Sequence, residues 1–499
     1  MEKKVKKKNI LTTFPRTFWV GNLMELFERG AYYGLNALLA VYLVKELNFR
    51  EQSVGLLQGF VYALTYVLPI LGGALADRLG YRKMLIVAFS LLTIGYFAAG
   101  NFDTYGLIFL FLLIMATGSG LFKPIITGTV ARTTTEENSG FGFGVYYWCI
   151  NLGAVIGPLF AIWVKGFSWR YIFFSSALWC FLMLLPAVFL YKDPERPEST
   201  KPIRQVLAEA LLVLGNSRFM LLIAVYSCFW ILYFQMFGSV LWYMVDFIHR
   251  APVDEFMAKL GIPFKLDPGH VTVINAATIV LLVVLVSRIT TKMKAIPVMA
   301  VGIAFGSAGF LILALTSSAW MFVLSIAVFS IGEMIAHPKY YSYVGLIAPH
   351  DKKAVYMGYA FLYGVFGSLI GTNLGAVLYE NILKPVVPSA RAVEAGLPLA
   401  AEAAKQAKSF WLIFAVLGGV CLIGMLLYNR FFSEETHKTN RRAWKIMLGL
   451  YSVFALAGFY FLIYSLFLVP EIQWRTFVQA LILLLLGGGG LSISLRRKP

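Results

Sequence analysis

A short segment near the N-terminus combines acidic, basic, phenolic and amide side chains within an apolar run. It reads ELFERGAYYGLN from residue 25 to residue 36. Successive residues of an α-helix are about 100° apart. One stripe of this helix therefore contains Glu25, Arg29, Tyr32, Tyr33 and Asn36, and Glu28 lies at its margin. Carboxylates can exchange protons, a guanidinium can bind an anion, and phenol and amide groups can hydrogen-bond a polar solute. The spacing therefore predicts a helix that presents one face to a buried polar site.

Further polar residues interrupt later apolar segments. An ionisable side chain at the bilayer centre costs about 3 kcal/mol, so each one is a functional candidate. Lys123 in GSGLFKP and Glu333 in GEMIAHP are charged, whereas Asn151 in YYWCINLGA and Gln235 in FWILYFQMFGS are neutral. His337 follows Glu333 by four residues and shares its face. A packing histidine is at least as good an interpretation of His337 as a proton-binding one.

The elements that position these residues are membrane helices. The chain has 499 residues, of which 59% are apolar and 14% charged, and its mean hydropathy is +0.74. Such values lie outside the range of soluble globular chains. Runs long enough to cross a bilayer occur at 17–44, 53–76, 84–100, 105–131, 140–164, 170–191, 217–249, 270–287, 295–317, 320–348, 354–383, 409–429, 446–468 and 476–495. We therefore expect an all-α polytopic membrane protein with fourteen spans.

The distribution of charge excludes some functions and orients the chain. The net charge of +18 does not indicate nucleic-acid binding, because the cations lie in the connections between helices. With the N-terminus in the cytoplasm, 28 of the 43 Lys and Arg residues fall on the cytoplasmic side and 12 on the other. This asymmetry predicts an inner-membrane protein with both termini in the cytoplasm. The sequence has no nucleotide-binding or metal-ligand motif, so no cofactor, no metal and no enzymatic activity are expected.

A polar connection divides the helices. The segment DPERPEST lies within it and cannot continue a membrane helix. We predict a first six-helix bundle over 1–191, a cytoplasmic linker over 192–216, a second six-helix bundle over 217–432 and two additional helices over 433–499. The last helix contains LLLLLLGGGG, and this glycine run is interpreted equally well as a packing surface or as a lipid-facing bend.

A loop motif supports the two-bundle interpretation. The segment GALADRLGYRK resembles the loop signature of the major facilitator superfamily, through Gly73, Asp77, Arg78, Gly80, Arg82 and Lys83. Asp77 can cap a neighbouring helix, and the cations suit the cytoplasmic face of a closed bundle. The alternative is a generic basic turn. The resemblance implies the major facilitator fold and alternating access.

The polar helix resembles a more specific family. Glu25, Glu28, Arg29, Tyr32, Tyr33 and Gly34 match the E-x-x-E-R-x-x-Y-Y-G motif of the proton-dependent oligopeptide transporters. The segments around Lys123, Asn151 and Glu333 resemble further family segments. The resemblance implies that Glu25, Glu28 and Glu333 couple protons, and that Lys123 and Glu333 form a gate. For this chain we predict a substrate site formed by Arg29, Tyr32, Tyr33, Lys123 and Asn151, with Asn36 and Gln235 at two positions where it departs from the family.

Two positions depart from this family. Asn36 stands where members usually have an arginine, and Phe234 and Gln235 stand where helix 7 usually carries an acid. Both partners of one ion pair of the family are thus missing. Their joint loss is expected, because a single remaining partner would be a buried, unpaired charge.

We therefore expect a secondary active transporter in the lipid bilayer, monomeric, with a small-molecule substrate and protons as its ligands. Proton symport of di- and tripeptides or similar zwitterions is the first hypothesis. A major facilitator carrier of another organic anion, an amino-acid-like solute or a drug is the alternative. A membrane-embedded enzyme or lipid scramblase is a remote third. Nucleic acid is not expected as a partner.

Overall fold

The computed structural model describes residues 14–135, 138–194, 213–290, 293–348, 353–390, 399–434, 436–468 and 474–496. This part of the chain is built from long α-helices and contains no β-strand. The predicted all-α membrane fold is therefore confirmed, including the two additional helices near the C-terminus.

The first half of the bundle consists of α1 to α6. Their bounds are Arg16–Val41, Glu51–Val67 continued by Pro69–Leu79, Tyr81–Ala99, Tyr105–Arg132, Ser139–Lys165 and Arg170–Phe189. Pro69 explains the interruption of α2, because proline lacks an N–H and favours the first position of a new helical segment. A π-helical turn, Tyr42–Glu46, extends α1.

The second half consists of α7 to α12, and α13 and α14 follow it. Their bounds are Ser217–Tyr233, His270–Thr290, Ala295–Leu315, Ala319–Ile347, Lys353–Ala360 continued by Leu362–Leu378, Ala401–Phe432, His437–Ile463 and Trp474–Arg496. A 3-10 turn, Phe234–Phe237, and a short helix, Ser239–Phe247, prolong α7 beyond its α-helical part. The helix α12 begins eight residues before the predicted start of its span, at Ala401 rather than residue 409.

Among the described residues, twelve helices have the length and composition of a membrane span. The remaining two are α1, which carries the acidic and basic cluster, and α8, whose apolar stretch covers only His270–Val283. Both are long enough to take part in the bundle. In α1 the side chains of Glu25, Glu28 and Arg29 are buried within the protein, which is how a membrane helix tolerates charged residues.

The helix α1 is held against α5 by a close backbone approach. A Cβ atom on Gly157 of α5 would lie 2.1 Å from the carbonyl oxygen of Gly30. Only glycine permits this distance. The contact lies one residue from Arg29 and so sets the position of the polar face of α1.

The C-terminal pair packs mainly on itself. Cβ atoms on Gly487 and Gly490 of α14 would clash with Ala455 and Tyr451 of α13, whereas Gly488 and Gly489 face open space. The glycine run is thus partly a packing surface. In the apolar membrane-spanning stretches of α13 and α14, 17% and 24% of the residues are buried inside the protein, against 83% in that of α7. The pair is therefore peripheral to the bundle.

The two ends of the bundle are named here by the course of α1. The distal end is where α1 ends and α2 begins, and the proximal end is where α1 begins. The predicted linker over 192–216 lies largely outside the described residues, so the domain boundaries stay a prediction.

Candidate transport site

The middle of α1 contains a buried ion pair. Arg29 donates from Nε and Nη2 to Oε2 of Glu28, at 2.6 and 2.5 Å. Ser119 of α4 donates to the other carboxylate oxygen of Glu28 at 2.8 Å. Glu28 is 0% exposed and Arg29 5% exposed. A buried pair of this kind persists only when its remaining hydrogen-bonding capacity is satisfied, and Ser119 contributes to that.

Glu25 lies one turn before Arg29 and is less well satisfied. Its Oε1 is 3.7 Å from Nε of Arg29. Its Oε2 is buried and has no hydrogen-bond partner among the described residues. An ionised carboxylate oxygen without a partner is costly in an apolar interior. Within this cluster, Glu25 is therefore the carboxylate best suited to carry a proton.

Lys123 and Glu333 lie in opposite halves and are not paired with each other. The Nζ atom of Lys123 is 4.6 Å from the ring centroid of Tyr66, a distance typical of a cation–π contact. Within the described chain, no carboxylate oxygen lies within the 4.0 Å of an ion pair from this atom. Glu333 accepts a hydrogen bond from Nδ2 of Asn275 at 2.9 Å. Both side chains are half-buried, so both can reach a solute between the halves.

Aromatic and amide groups surround these charges. The guanidinium carbon of Arg29 lies 4.8 Å from the ring centroid of Tyr32 and 5.9 Å from that of Tyr33. Asn151 uses its amide N–H to reach the carbonyl of Tyr147, four residues earlier, at 2.8 Å. Its carbonyl oxygen can therefore accept from a solute.

His337 contacts aromatic residues rather than the acid on its face. Its Nδ1 lies 3.3 Å from the hydroxyl of Tyr226, and its ring centroid is 5.1 Å from that of Trp230. These contacts are typical of a packing histidine.

A neutral hydrogen-bond chain, here called the distal layer, connects the two halves. It consists of Asn36, Tyr62, Gln58 and the main-chain carbonyl of Phe237. Tyr62 donates to Oδ1 of Asn36 at 2.9 Å, and Gln58 donates to the Tyr62 hydroxyl at 3.1 Å and to the Phe237 carbonyl at 2.9 Å. Asn36 and Gln58 are 0% and 1% exposed. The structure thus places Asn36 in an interior contact between α1 and α2.

Gln235 is also engaged by protein groups. Its Nε2 donates to the carbonyls of Ile231 and Gly371, and its Oε1 accepts from Ser239 at 2.6 Å. The structure therefore does not bring Gln235 together with Arg29 or Lys123. Its amide connects α7 with α11.

Ion pairs, here called the distal rim, join the halves outside the distal layer. They are Lys45–Asp246, Arg50–Glu380, Glu51–Lys384 and Lys165–Asp267. Tyr379 adds a hydrogen bond to Asp246 at 2.6 Å. Between described side chains of the two halves, no ion pair occurs at the proximal end. The four ion pairs therefore close the distal end.

Comparison with known proteins identifies the family. The family model described as Major Facilitator Superfamily matches residues 22–372, which is more than two thirds of the chain. This chain belongs to the Major Facilitator Superfamily. It is a multi-pass inner-membrane transporter and not an enzyme, as predicted.

Relatives of this facilitator confirm the predicted resemblance to oligopeptide transporters. Dipeptide and tripeptide permease A of Erwinia pyrifoliae is 26% identical over 447 residues, covering 75% of this chain and 88% of the permease. The permease of the same name from Klebsiella pneumoniae is 32% identical over 184 residues, or 36% of each chain. The second match therefore spans about a third of that relative.

Solved structures show the same fold. A POT family transporter in complex with 5-aminolevulinic acid superimposes with a TM-score of 0.66 at 19% identity, over 85% of this facilitator and 99% of that chain. A peptide transporter POT in complex with sulfate gives a TM-score of 0.67 at 19% identity, over 84% and 94% of the two chains.

The facilitator loop forms a tight connection between α2 and α3. Gly80 has φ 102° and ψ 138°, a conformation that residues with a Cβ atom rarely adopt. The main-chain N–H of Arg82 donates to Asp193 at 2.7 Å, and its guanidinium donates to the carbonyl of Val188 at the end of α6. Arg78 and Lys83 are exposed. The Asp77 side chain, for which a capping role is predicted, lies outside the described residues.

Sequence reasoning missed several residues of this facilitator's site. Ser119 precedes Lys123 by four residues and so shares its helix face, a signal already present in GSGLFKP. Asn275 is an isolated amide in the apolar segment VINAATIVLL, and Gln58 and Tyr62 have i,i+4 spacing in α2. Each was visible as a polar residue in an apolar helix.

Proposed function

We propose that this facilitator is a proton-coupled symporter that imports di- and tripeptides, or zwitterions of similar size, by alternating access. The observation that carries the proposal is the buried cluster of Glu25, Glu28 and Arg29, in which one carboxylate is paired and the other has an unpartnered oxygen. The names of the relatives support the substrate class.

The charges suggest how substrate and proton binding are coupled. Among the described residues, Lys123 has only the face of an aromatic ring as its partner, so its ammonium group is available to a substrate carboxylate. A carboxylate bound there also attracts Arg29 and weakens its contact with Glu28. Burial opposes ionisation of a carboxylate and neighbouring cations favour it, so movement of these cations changes proton affinity. Substrate binding and proton uptake by Glu25, Glu28 or Glu333 are thereby linked.

In our proposal the distal end faces the periplasm and both termini lie in the cytoplasm. The excess of Lys and Arg in the connections on the proximal side supports this orientation. The closed distal layer and distal rim then describe an inward-facing conformation. We further propose that one monomer is the transporting unit, because both halves of the site are present in one chain.

We propose that Lys123 and Glu333 pair when the cytoplasmic side closes. They belong to α4 and α10, in opposite halves, and are unpaired while the distal end is closed. An ion pair that forms in only one conformation stabilises that conformation. This relation supports a gating role for the pair.

One observation favours a different solute. Asn36 and Gln235 are neutral, buried and engaged by protein groups, so neither adds a charge to the site. The remaining cations, Arg29 and Lys123, suit any small organic anion or zwitterion that carries a carboxylate. A carrier of amino-acid-like solutes or other organic anions is therefore the second candidate.

Uptake into liposomes decides between the two candidates. The purified protein is reconstituted with an imposed pH gradient, acidic outside, and tested with labelled di- and tripeptides, single amino acids and organic anions. Accumulation of peptides that collapses when the gradient is dissipated is the expected result. Accumulation of only the other solutes would support the second candidate, and the absence of gradient-driven uptake for all of them would contradict proton symport.

A further inference from the structure

A cavity lies at the distal end, away from the transport site. It has a volume of about 520 Å³ and lies between the end of α5 and the connection from α7 to α8. Its lining includes Lys165 from the first half and residues 248–251 and 265–267 from the second. None of the residues assigned to proton coupling lines it. The volume is in the range of sites for small organic ligands.

The carboxylates of this cavity are occupied by protein groups. Asp254 accepts the main-chain N–H of Leu266 at 2.7 Å. Asp267 accepts from the ammonium of Lys165 and, at 3.0 Å, from the main-chain N–H of Gly269. Both acids therefore already accept hydrogen bonds from protein donors, and the charge of Asp267 is paired with that of Lys165.

One cationic donor, by contrast, is available. The side chain of Lys265 is exposed and has no ion pair or hydrogen bond within the described chain. The half-buried imidazole of His249 also lines the cavity. Lys165 and Arg250 also line the cavity, but they are engaged by Asp267 and by the carbonyl of Leu266. Counting Lys165, Arg250 and Lys265 against Asp254 and Asp267, the lining carries a net charge of one positive unit. The surplus of donors favours a ligand with carboxylate or phosphate groups.

The cavity depends on the closed distal end. Lys165 belongs to α5, and its partner Asp267 follows α7, so their ion pair belongs to the distal rim. A ligand that contacts both Lys165 and Lys265 contacts both halves. Such a ligand binds well only while the halves are together, and it shifts the population toward that state.

We propose that this cavity is an inhibitory site for a small anion that carries carboxylate or phosphate groups. The anion holds the distal end closed and so slows loading of substrate from that side. None of the residues assigned to the transport site lines this cavity, so the site is distinct from the transport site. The direction of inhibition rests on the proposed periplasmic location of the distal end.

Binding is tested without knowledge of the transported solute. Citrate is added to the purified protein, and the thermal unfolding temperature is compared with that in chloride at equal ionic strength. Wild type should be stabilised by citrate, whereas Lys265→Ala should lose most of this stabilisation. Lys259→Ala is the matched control, because Lys259 is exposed nearby but does not line the cavity. Equal stabilisation of all three proteins would overturn the proposal.

Transport then tests the consequence of binding. In liposomes of zwitterionic lipid, external citrate or inorganic phosphate should reduce uptake of an accepted substrate, and more substrate should not relieve the reduction. Lys265→Ala should raise the half-inhibitory concentration at least tenfold without changing uptake in chloride. If a lipid headgroup is the natural ligand, phosphatidylglycerol should inhibit wild type and not Lys265→Ala. Inhibition that is independent of Lys265, or relieved by substrate, would overturn the proposal. Failure of peptide uptake alone would not affect the binding result.

Discussion

Arg29 binds Glu28 through two nitrogens, at 2.5 and 2.6 Å, and both contacts reach the same carboxylate oxygen. Glu25, by contrast, is 3.7 Å from the same guanidinium. Two acids one turn apart on α1 therefore have different surroundings. The difference separates a residue that fixes Arg29 from one that is free to exchange a proton.

The first prediction concerns these two acids. Glu25→Gln and Glu28→Gln should each abolish accumulation driven by a pH gradient and retain some counterflow between equilibrated compartments. Glu28→Gln should also lower the thermal stability, because removing one partner of a buried pair costs up to about 3–5 kcal/mol. Both quantities are measured on reconstituted or purified protein.

Glu46→Gln is the matched control for this pair. Glu46 is exposed and ends the π-helical turn that extends α1, so its substitution should change neither property. If Glu25→Gln still concentrates substrate along a pH gradient, Glu25 is not required for coupling. The same result for Glu28→Gln would exclude Glu28.

The second prediction concerns the proximal gate. Lys123→Ala or Glu333→Ala should increase the labelling rate of a cysteine on the proximal side of the site, because the state in which that side is closed loses an ion pair. Exchanging the two charges should restore part of the wild-type rate. The same rate in wild type, both single variants and the exchange would show that this pair does not gate.

The third prediction ranks two ion pairs of the distal rim. The Asp246 side chain is 1% exposed and its partner Lys45 is 22% exposed, whereas Arg50, which pairs with Glu380, is 65% exposed. Asp246→Asn should favour distal opening by up to about 3 kcal/mol. Glu380→Gln should change the equilibrium less than Asp246→Asn does, because water screens an exposed ion pair.

Distances between spin labels measure this opening. Asn101 and Asn381 are exposed residues at the distal end of the first and second half, so labels there should separate when the end opens. A larger separated population in Glu380→Gln than in Asp246→Asn would contradict the ranking.

The fourth prediction is topological. In a protein whose four native cysteines are replaced by alanine, Ala258→Cys should react with an impermeant reagent from the periplasmic side. Ser199→Cys should not. Ala258 is exposed in the described structure, whereas residue 199 lies outside it. The opposite pattern would reverse the proposed orientation.

The fifth prediction compares adjacent glycines in α14. A Cβ atom on Gly487 would lie 2.3 Å from the main-chain nitrogen of Ala455, whereas Gly488 has nothing within 4 Å. Gly487→Leu should disturb packing of α14 on α13 at a cost of about 1–3 kcal/mol. Gly488→Leu should be neutral. Thermal unfolding in detergent measures both, and equal stability of the two variants would contradict the packing.

The polar face of α1 could be predicted because it follows from one helical period and from the cost of charge in lipid. The same reasoning found Lys123 and Glu333, since each interrupts an apolar helix. Hydropathy also predicted the long helices, although their predicted ends differ from the observed ends by several residues. Helices such as α12 continue beyond the apolar run into polar turns, and hydropathy does not register these turns.

The contacts between the halves could not be predicted. Gln58 and Phe237 are 179 residues apart, and their hydrogen bond depends on how two bundles meet. The distal rim was missed for the same reason, because its residues lie in loops or at the ends of apolar runs, where charged residues are common. Whether Arg29 pairs with Glu28 or with Glu25 depends on side-chain rotamers and on the hydrogen bond from Ser119. No local sequence pattern specifies either.

The distal layer of Asn36, Tyr62 and Gln58 has an electrical consequence. A full charge that crosses the membrane potential changes energy by about 2.3 kcal/mol per 100 mV, but these three side chains carry none. Breaking their hydrogen bonds therefore transfers no gating charge. Any effect of hyperpolarisation on distal opening should therefore act through the charged groups, which are the ion pairs of the distal rim and the carboxylates around Arg29, and not through this layer.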